Sequence, residues 1–281
     1  MRRIPAWLVS LSLFSSLATQ AQTVVQIPCA SILNTRSVTT LTEGKLVTWQ
    51  VGIDGGGNGN GYLTMAASLF VGDKNPHALP DSGKVAADAR HPEIILNYSN
   101  ANGTDNQTRF VKGAGDFTMP VPAAKYSKLF LYFTSAEGAS SLTFTFNYAD
   151  STHETVNVEL PDYYNDIAAT DPVLFYVVKD LAKWSKANKM TEATHHNIDG
   201  IELKPSQAKA LASVKVAKTA KGYLVFWGAT GVSAGPVTAR VPSARRQAPG
   251  TTRFMAGSPG SAQMGVTGVT ASGRYIGSRK E

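Results

Sequence analysis

The stretch YSKLFLYFTSAEGASSLTFTFNYADSTHETVNVELPDYYND, residues 126–166, decides the fold. Its first apolar run, Leu129 to Phe133, offers hydrophobic side chains to both faces. The next run alternates: Leu142, Phe144, Phe146 and Tyr148 on one side, Thr143, Thr145 and Asn147 on the other. A third run sets Val156, Val158 and Leu160 against Thr155, Asn157 and Glu159. Side chains along a strand point alternately to opposite faces, so period-two alternation predicts antiparallel strands with one buried face. The stretch closes on a polar-aromatic corner, Pro161 to Asp166.

Outward from this block the same texture recurs. Thr23–Ile27, Lys45–Ile53, Tyr62–Val71, Glu93–Tyr98, Gln107–Val111 and Phe117–Val121 precede it as β-prone runs. Lys45–Ile53 and Tyr62–Val71 read as a hairpin around the glycine-asparagine loop 54–61. After the corner, Pro172–Ala182 reads as a strand ending in a helical turn, and Trp184–Thr194 is helix-compatible. Asn197–Leu203, Val214–Lys218 and Tyr223–Trp227 close the set. Many short strands with a single helix candidate predict an all-β antiparallel sandwich of jelly-roll type, with one short helix and a disordered C-terminal tail. No strand–glycine–helix phosphate loop and no internal repeat is present.

The ends differ from this domain. Arg2-Arg3, the apolar stretch Ala6–Leu17 and the small residues before Gln22 predict a signal peptide over 1–21. Residues 22–235 are expected to form the sandwich. Residues 236–281 are rich in Gly, Ser, Ala, Pro, Thr and Arg without apolar period, and read as a low-complexity basic tail. Either that tail touches an anionic surface, or it is a frame-shifted end of the gene. The net charge of +7 lies at the ends: between Gln22 and Gly235 there are 18 basic and 19 acidic residues. That balance excludes the charge argument for nucleic acid. No later segment has the apolar length of a membrane helix. The expectation is a monomer, secreted, periplasmic or at the cell surface. The single cysteine, Cys29, has no intramolecular partner and reads as a small buried hydrophobe, since Pro28 before it disfavours a lipid-anchor site.

Several features resemble the secreted galactose-binding-like jelly rolls to which many carbohydrate-binding modules belong. They are the bulky run Lys128–Phe133, the turn Tyr148-Ala149-Asp150-Ser151-Thr152, and the run Tyr223–Trp227 followed by Gly228-Ala229-Thr230-Gly231. The resemblance spans Gln107 to Gly235. It implies a β-sandwich, a polysaccharide or glycan partner and often a structural calcium, and names no particular sugar.

Sugar recognition needs aromatic rings for C–H faces and carboxylates or amides for hydroxyls. Asp162, Tyr163, Tyr164, Asn165 and Asp166 supply both, with Trp184 expected nearby, and these are the candidate ligand residues. A corner tyrosine packed inward is the structural alternative. Asp54, Asn58 and Asn60 alternate in the glycine loop and are the candidate calcium ligands, with Asp162, Asp166 and Asp171 as a competing set and a flexible loop as the plain alternative. His195 and His196 would point to opposite faces of a strand, one of them within reach of Glu192 or Asp199. No Gly-x-Ser-x-Gly elbow occurs. The functional expectation is a non-catalytic carbohydrate binder, with a hydrolase using loop carboxylates, or a structural surface protein, as the alternatives.

Overall fold

The computed structural model describes residues 22–55, 59–74, 76–219 and 221–235. The signal peptide, the basic tail and Asn58 lie outside the described residues.

Fifteen strands are formed among the described residues. The N-terminal part holds β1 (Thr23–Gln26), β2 (Val38–Thr42), β3 (Lys45–Val47), β4 (Tyr62–Leu63), β5 (Lys84–Val85), β6 (Ile94–Ile95) and β7 (Arg109–Lys112). The long strands follow: β8 (Gly115–Ala124), β9 (Tyr126–Ala136), β10 (Ser140–Tyr148), β11 (His153–Leu160), β12 (Leu174–Trp184), β13 (Met190–Leu203), β14 (Leu211–Lys218) and β15 (Tyr223–Ser233). One sheet runs β1-β15-β9-β13-β12, with β7 also on β15. The other runs β11-β10-β14-β8. All pairings within these two sheets are antiparallel.

The inner faces of the two sheets make the main core. Leu129, Leu131, Phe133, Leu224 and Phe226 of the larger sheet meet Phe117, Met119, Leu142, Phe144, Phe146, Val214 and Val216 of the smaller one. The period-two reading of β10 holds residue by residue, with Leu142, Phe144, Phe146 and Tyr148 all buried. Strand β9 is buried on both faces because the larger sheet is covered twice. Its second face, Phe130 and Tyr132 with Val225 and Trp227, packs under a layer from the N-terminal part: Val38, Ile53, Tyr62, Leu79, Ile94 and Leu96. Cys29 is buried, and burial pushes its thiol up to about 12.

Four local expectations change. Strand β11 has only one neighbour, β10, and lies at the edge of its sheet, so Val156 is exposed while Leu160 is buried. Residues 45–53 and 62–71 do not form a hairpin: β3 and β4 each pair with β2, β4 in parallel. Thr64 ends β4 and caps α1 (Met65–Phe70), its hydroxyl accepting from the Ala67 N–H at 3.4 Å. The helix therefore sits at 65–70 and not at 184–194. That later segment is a turn followed by β13, and residues 174–184 are strand throughout. The pattern misled because β12 and β13 are bulged: their register shifts between Tyr176 and Trp184. Asp180 and His195 take positive φ, +60° and +79°, which breaks the alternation.

Candidate functional site

The bulges on β12 and β13 shape the site. Asp180 is pinned in its left-handed conformation: its N–H donates to Asn197 Oδ1 at 3.1 Å, and its carbonyl lies 2.9 Å from His77 Nδ1. Beyond the bulges, Leu181 faces His196 and Lys183 faces Glu192 across the ladder. Directly opposed residues of an antiparallel pair share a face, so Lys183 and Glu192 are brought into contact. Their charged atoms are 2.8 Å apart.

Two further segments converge on Lys183. The corner after β11 brings Tyr163 and Tyr164, whose hydroxyls lie 3.2 and 2.8 Å from Lys183 Nζ. The loop after Ile53 brings Asp54, with Oδ2 3.0 Å from the same ammonium. Asp54 Oδ2 also accepts from the Tyr163 hydroxyl at 3.1 Å, and Oδ1 accepts from the Asn60 N–H at 2.7 Å. The Lys183 side chain is 5% exposed and that of Asp54 9%, against 45% for Glu192. Burying a lysine in this way requires paired charge and full hydrogen bonding.

Glu192 links the buried ion pair to the surface. Its Oε2 accepts from the Tyr164 hydroxyl at 2.5 Å and lies 3.3 Å from His196 Nε2. Hydrogen bonds from Lys183 and Tyr164 pull its carboxyl down to about 2. His196 is fully buried, with Nδ1 2.6 Å from the Leu181 carbonyl. Burial lowers its pKa, and Lys183 lowers it further against the pull of Glu192. Burial works against the charge of Lys183, but bonding to Glu192, Tyr164 and Asp54 outweighs it and raises its pKa. With His196 neutral, one ammonium faces two carboxylates and the cluster carries a net negative charge.

The aromatic corner divides. Tyr163 is 3% exposed, its N–H bonded to the Ser135 carbonyl and its own carbonyl to Asn197 Nδ2. Tyr164 is 42% exposed and lies tilted against Tyr163, 4.5 Å between centroids with 30° between the ring planes. The ring of His196 meets Tyr164 edge-on at 4.8 Å. Tyr164 is therefore a partly exposed ring held at its hydroxyl and along its buried side. Asp162 braces the turn, with Oδ1 accepting from the Tyr164 N–H and Oδ2 from the Gly138 N–H. Asn165 is exposed, and so is Asp166, which bonds Tyr176 and Lys179. Trp184 is 4% exposed in a small apolar cluster with Leu63 and Ala67, so it is a packing residue and not a sugar platform. Of the candidate calcium ligands, Asp54 has Lys183 Nζ in the position a cation would take on Oδ2. Asn60 closes the loop back onto Asp54, and its side-chain oxygen accepts from Thr191. Among the described residues no group of three or more His, Cys, Asp or Glu is disposed to hold a metal ion.

Sequence reasoning missed Lys183 and His196 as parts of one site, and met Glu192 only as a partner for a histidine. Lys183 and Glu192 stand nine residues apart, which would put them on opposite faces of a helix, and only the bulged hairpin makes them cross-strand neighbours. Glu192 is held ionised by Lys183 and Tyr164 and stands at the corner as a hydrogen-bond acceptor.

The fold and this corner together define an antiparallel β-sandwich bearing a charged, aromatic edge. No protein-family model matches the chain, and no curated protein matches it. Among solved structures, a carbohydrate-binding module described as specific for non-crystalline cellulose (CBM28) is similar at 10% identity and a TM-score of 0.24. The match covers 57% of this chain and 89% of that one. A likeness at that TM-score carries no argument about fold or ligand. No helix among the described residues is long and apolar enough to cross a membrane.

Proposed function

We propose that this chain is an exported, monomeric, non-catalytic carbohydrate-binding protein whose ligand lies against Tyr164 and Glu192. The observation that carries this reading is the exposed Tyr164 ring, fixed by bonds from its hydroxyl to Glu192 and Lys183. A rigid ring offers a pyranose C–H face a surface with little conformational entropy left to lose. Glu192 stands beside it as an acceptor for hydroxyls. A carboxylate has about four acceptor sites; Lys183 and Tyr164 occupy two of them, while neutral His196 spends its one N–H on the Leu181 carbonyl. The remaining sites suit sugar O–H groups. Asn165 and Asp166, exposed on the same corner, extend the polar rim. The negative charge of the cluster favours a neutral glycan over an acidic one at this edge.

The test is a glycan array probed with the purified chain, followed by calorimetry on any hit with the wild type, Tyr164→Ala and Glu192→Gln. Binding that falls at least tenfold in both variants, with each still folded at the assay temperature by circular dichroism, supports the site. Binding to no glycan, or binding indifferent to both substitutions, removes it. A chelator arm addresses calcium: because Lys183 already neutralises Asp54, binding is expected to survive chelation, and its loss would place a metal in the loop.

A further inference from the structure

A separate cavity, sharing no residue with the Tyr164 corner, is built around Arg36. It holds about 540 Å³ and is open to solvent. That is a small-molecule size, within the range of about 300–1,000 Å³ usual for ligand pockets. Asn97, Tyr98, Asn102, Asn106 and Gln107 line it together with Arg36.

Arg36 is 2% exposed. Its Nη1 donates to the carbonyls of Asp105 at 2.9 Å and Asn102 at 3.4 Å, and Nη2 donates to Thr40 Oγ1 at 3.2 Å. These acceptors are neutral. No ion pair links Arg36 to a carboxylate among the described residues. The nearby carboxylate of Asp105 is taken up locally, by Asn102 Nδ2 at 2.7 Å and Thr104 Oγ1 at 3.3 Å. Among the described residues Arg36 Nε has no hydrogen-bond partner, and neither has Tyr98 Oη or Gln107 Nε2. Tyr98 and Gln107 are 5% and 2% exposed. A guanidinium cannot shed its proton to escape burial, and the charge of Asp105 acts on Arg36 only from beyond ion-pair distance. Buried polar groups left unpaired are rare in native proteins and call for a partner.

The asparagine-rich run 97–106 acquires a reason. Asn97 Nδ2 donates to the Trp227 carbonyl at 2.7 Å and Asn106 Nδ2 to the Leu33 carbonyl at 3.1 Å. Their amides fasten the cavity wall to the sheet and to the chain before β2.

We infer that this cavity binds a polyhydroxylated ligand carrying one anionic oxygen group, a uronate carboxylate or a sugar sulfate, with Arg36 as its counter-charge. Arg36 Nε, Tyr98 Oη and Gln107 Nε2 are closed to solvent in this structure, so binding turns these side chains toward the ligand, Arg36 to its anionic oxygen and Tyr98 and Gln107 to its hydroxyls. Arginine favours such oxyanions because its hydrogen bonds to them are charge-assisted.

The test is calorimetry on the full chain with three probes: digalacturonate, a sulfated galactobiose and neutral galactobiose. One anionic probe is expected to bind at least tenfold more tightly than the neutral one, and which of the two does so identifies the group. Ala30→Trp, at an exposed position on the cavity rim, should block that binding without altering the melting temperature. Arg36→Gln should remove the preference for the charged probe. Tyr164→Ala should leave it intact, which separates this site from the corner. Equal binding of all three probes, or no binding, overturns the inference. So does binding that survives Ala30→Trp or disappears in Tyr164→Ala.

Discussion

Lys183 is the residue whose removal should reveal most. Its ammonium is held by two carboxylates and two tyrosine hydroxyls. Lys183→Met keeps the stem and removes the charge, leaving Asp54 buried without its ion partner. Breaking a buried pair from one side costs about 3–5 kcal/mol, so urea denaturation should show a loss of that order. A loss below about 1 kcal/mol, the size of an exposed pair, would mean that water reaches Asp54 freely. The neighbouring tyrosines should behave differently from each other. Tyr163→Ala removes a packed ring and should cost about 3–5 kcal/mol. Tyr164→Ala should change stability far less and act on ligand affinity. The sequence placed both rings at one corner correctly but could not assign them roles. Consecutive loop residues have no fixed period, and which ring turns inward depends on Ser135 and Asn197, far away in the chain.

At the scale of elements, the β12–β13 hairpin carries the site because it is irregular. His195 at φ +79° and Asp180 at +60° hold conformations that only a few per cent of non-glycine residues adopt. Such strain is of order 1–3 kcal/mol per residue and persists where surrounding contacts impose it. His195→Gly should therefore preserve the bulge and leave stability equal to or slightly above wild type. His195→Val, β-branched and ill-suited to positive φ, should cost about 1–3 kcal/mol and weaken ligand binding by shifting Glu192 away from Lys183. Thermal melts and calorimetry on the two variants would check this, and equal behaviour of Gly and Val would show that the bulge does not depend on this backbone conformation. The contrast with β10 explains what could be read in advance. Between Ser140 and Tyr148 the alternation is unbroken and matches the burial pattern throughout. Where bulges interrupt the period, as in residues 180–195, a strand imitates a helix, and the positions of Lys183, Glu192 and His196 follow from tertiary pairing alone. The covering layer was equally hidden, since β2 to β6 are only two to five residues long.

At the scale of the whole molecule, acids and bases with shifted pKa set how stability depends on pH, and they pull in opposite directions. Glu192 has its pKa depressed in the folded state by Lys183 and Tyr164, to about 2 from an ordinary 4.5. Its contribution is present above pH 4.5 and is lost as pH falls through the folded value. His196 is also depressed below its ordinary 6.5, by burial first, so the folded state resists its protonation and stability falls as pH drops below 6.5. Asp199 acts in the other sense. It is fully buried on β13, neither carboxyl oxygen has a hydrogen-bond partner among the described residues, and burial raises its pKa well above 3.8. The folded state keeps this proton while the unfolded chain releases it near pH 4. Stability from this group is therefore fully present below pH 3.8 and declines as pH rises, by up to about 1.4 kcal/mol per pH unit. Asp199→Asn keeps the shape and removes the titration. The stability difference between variant and wild type, measured by urea unfolding from about pH 4 to about pH 7, should move steadily in favour of the amide variant as pH rises. A difference constant across that range would mean that Asp199 ionises in the folded protein, which would require a counter-charge or water in the sheet interior beside Phe133.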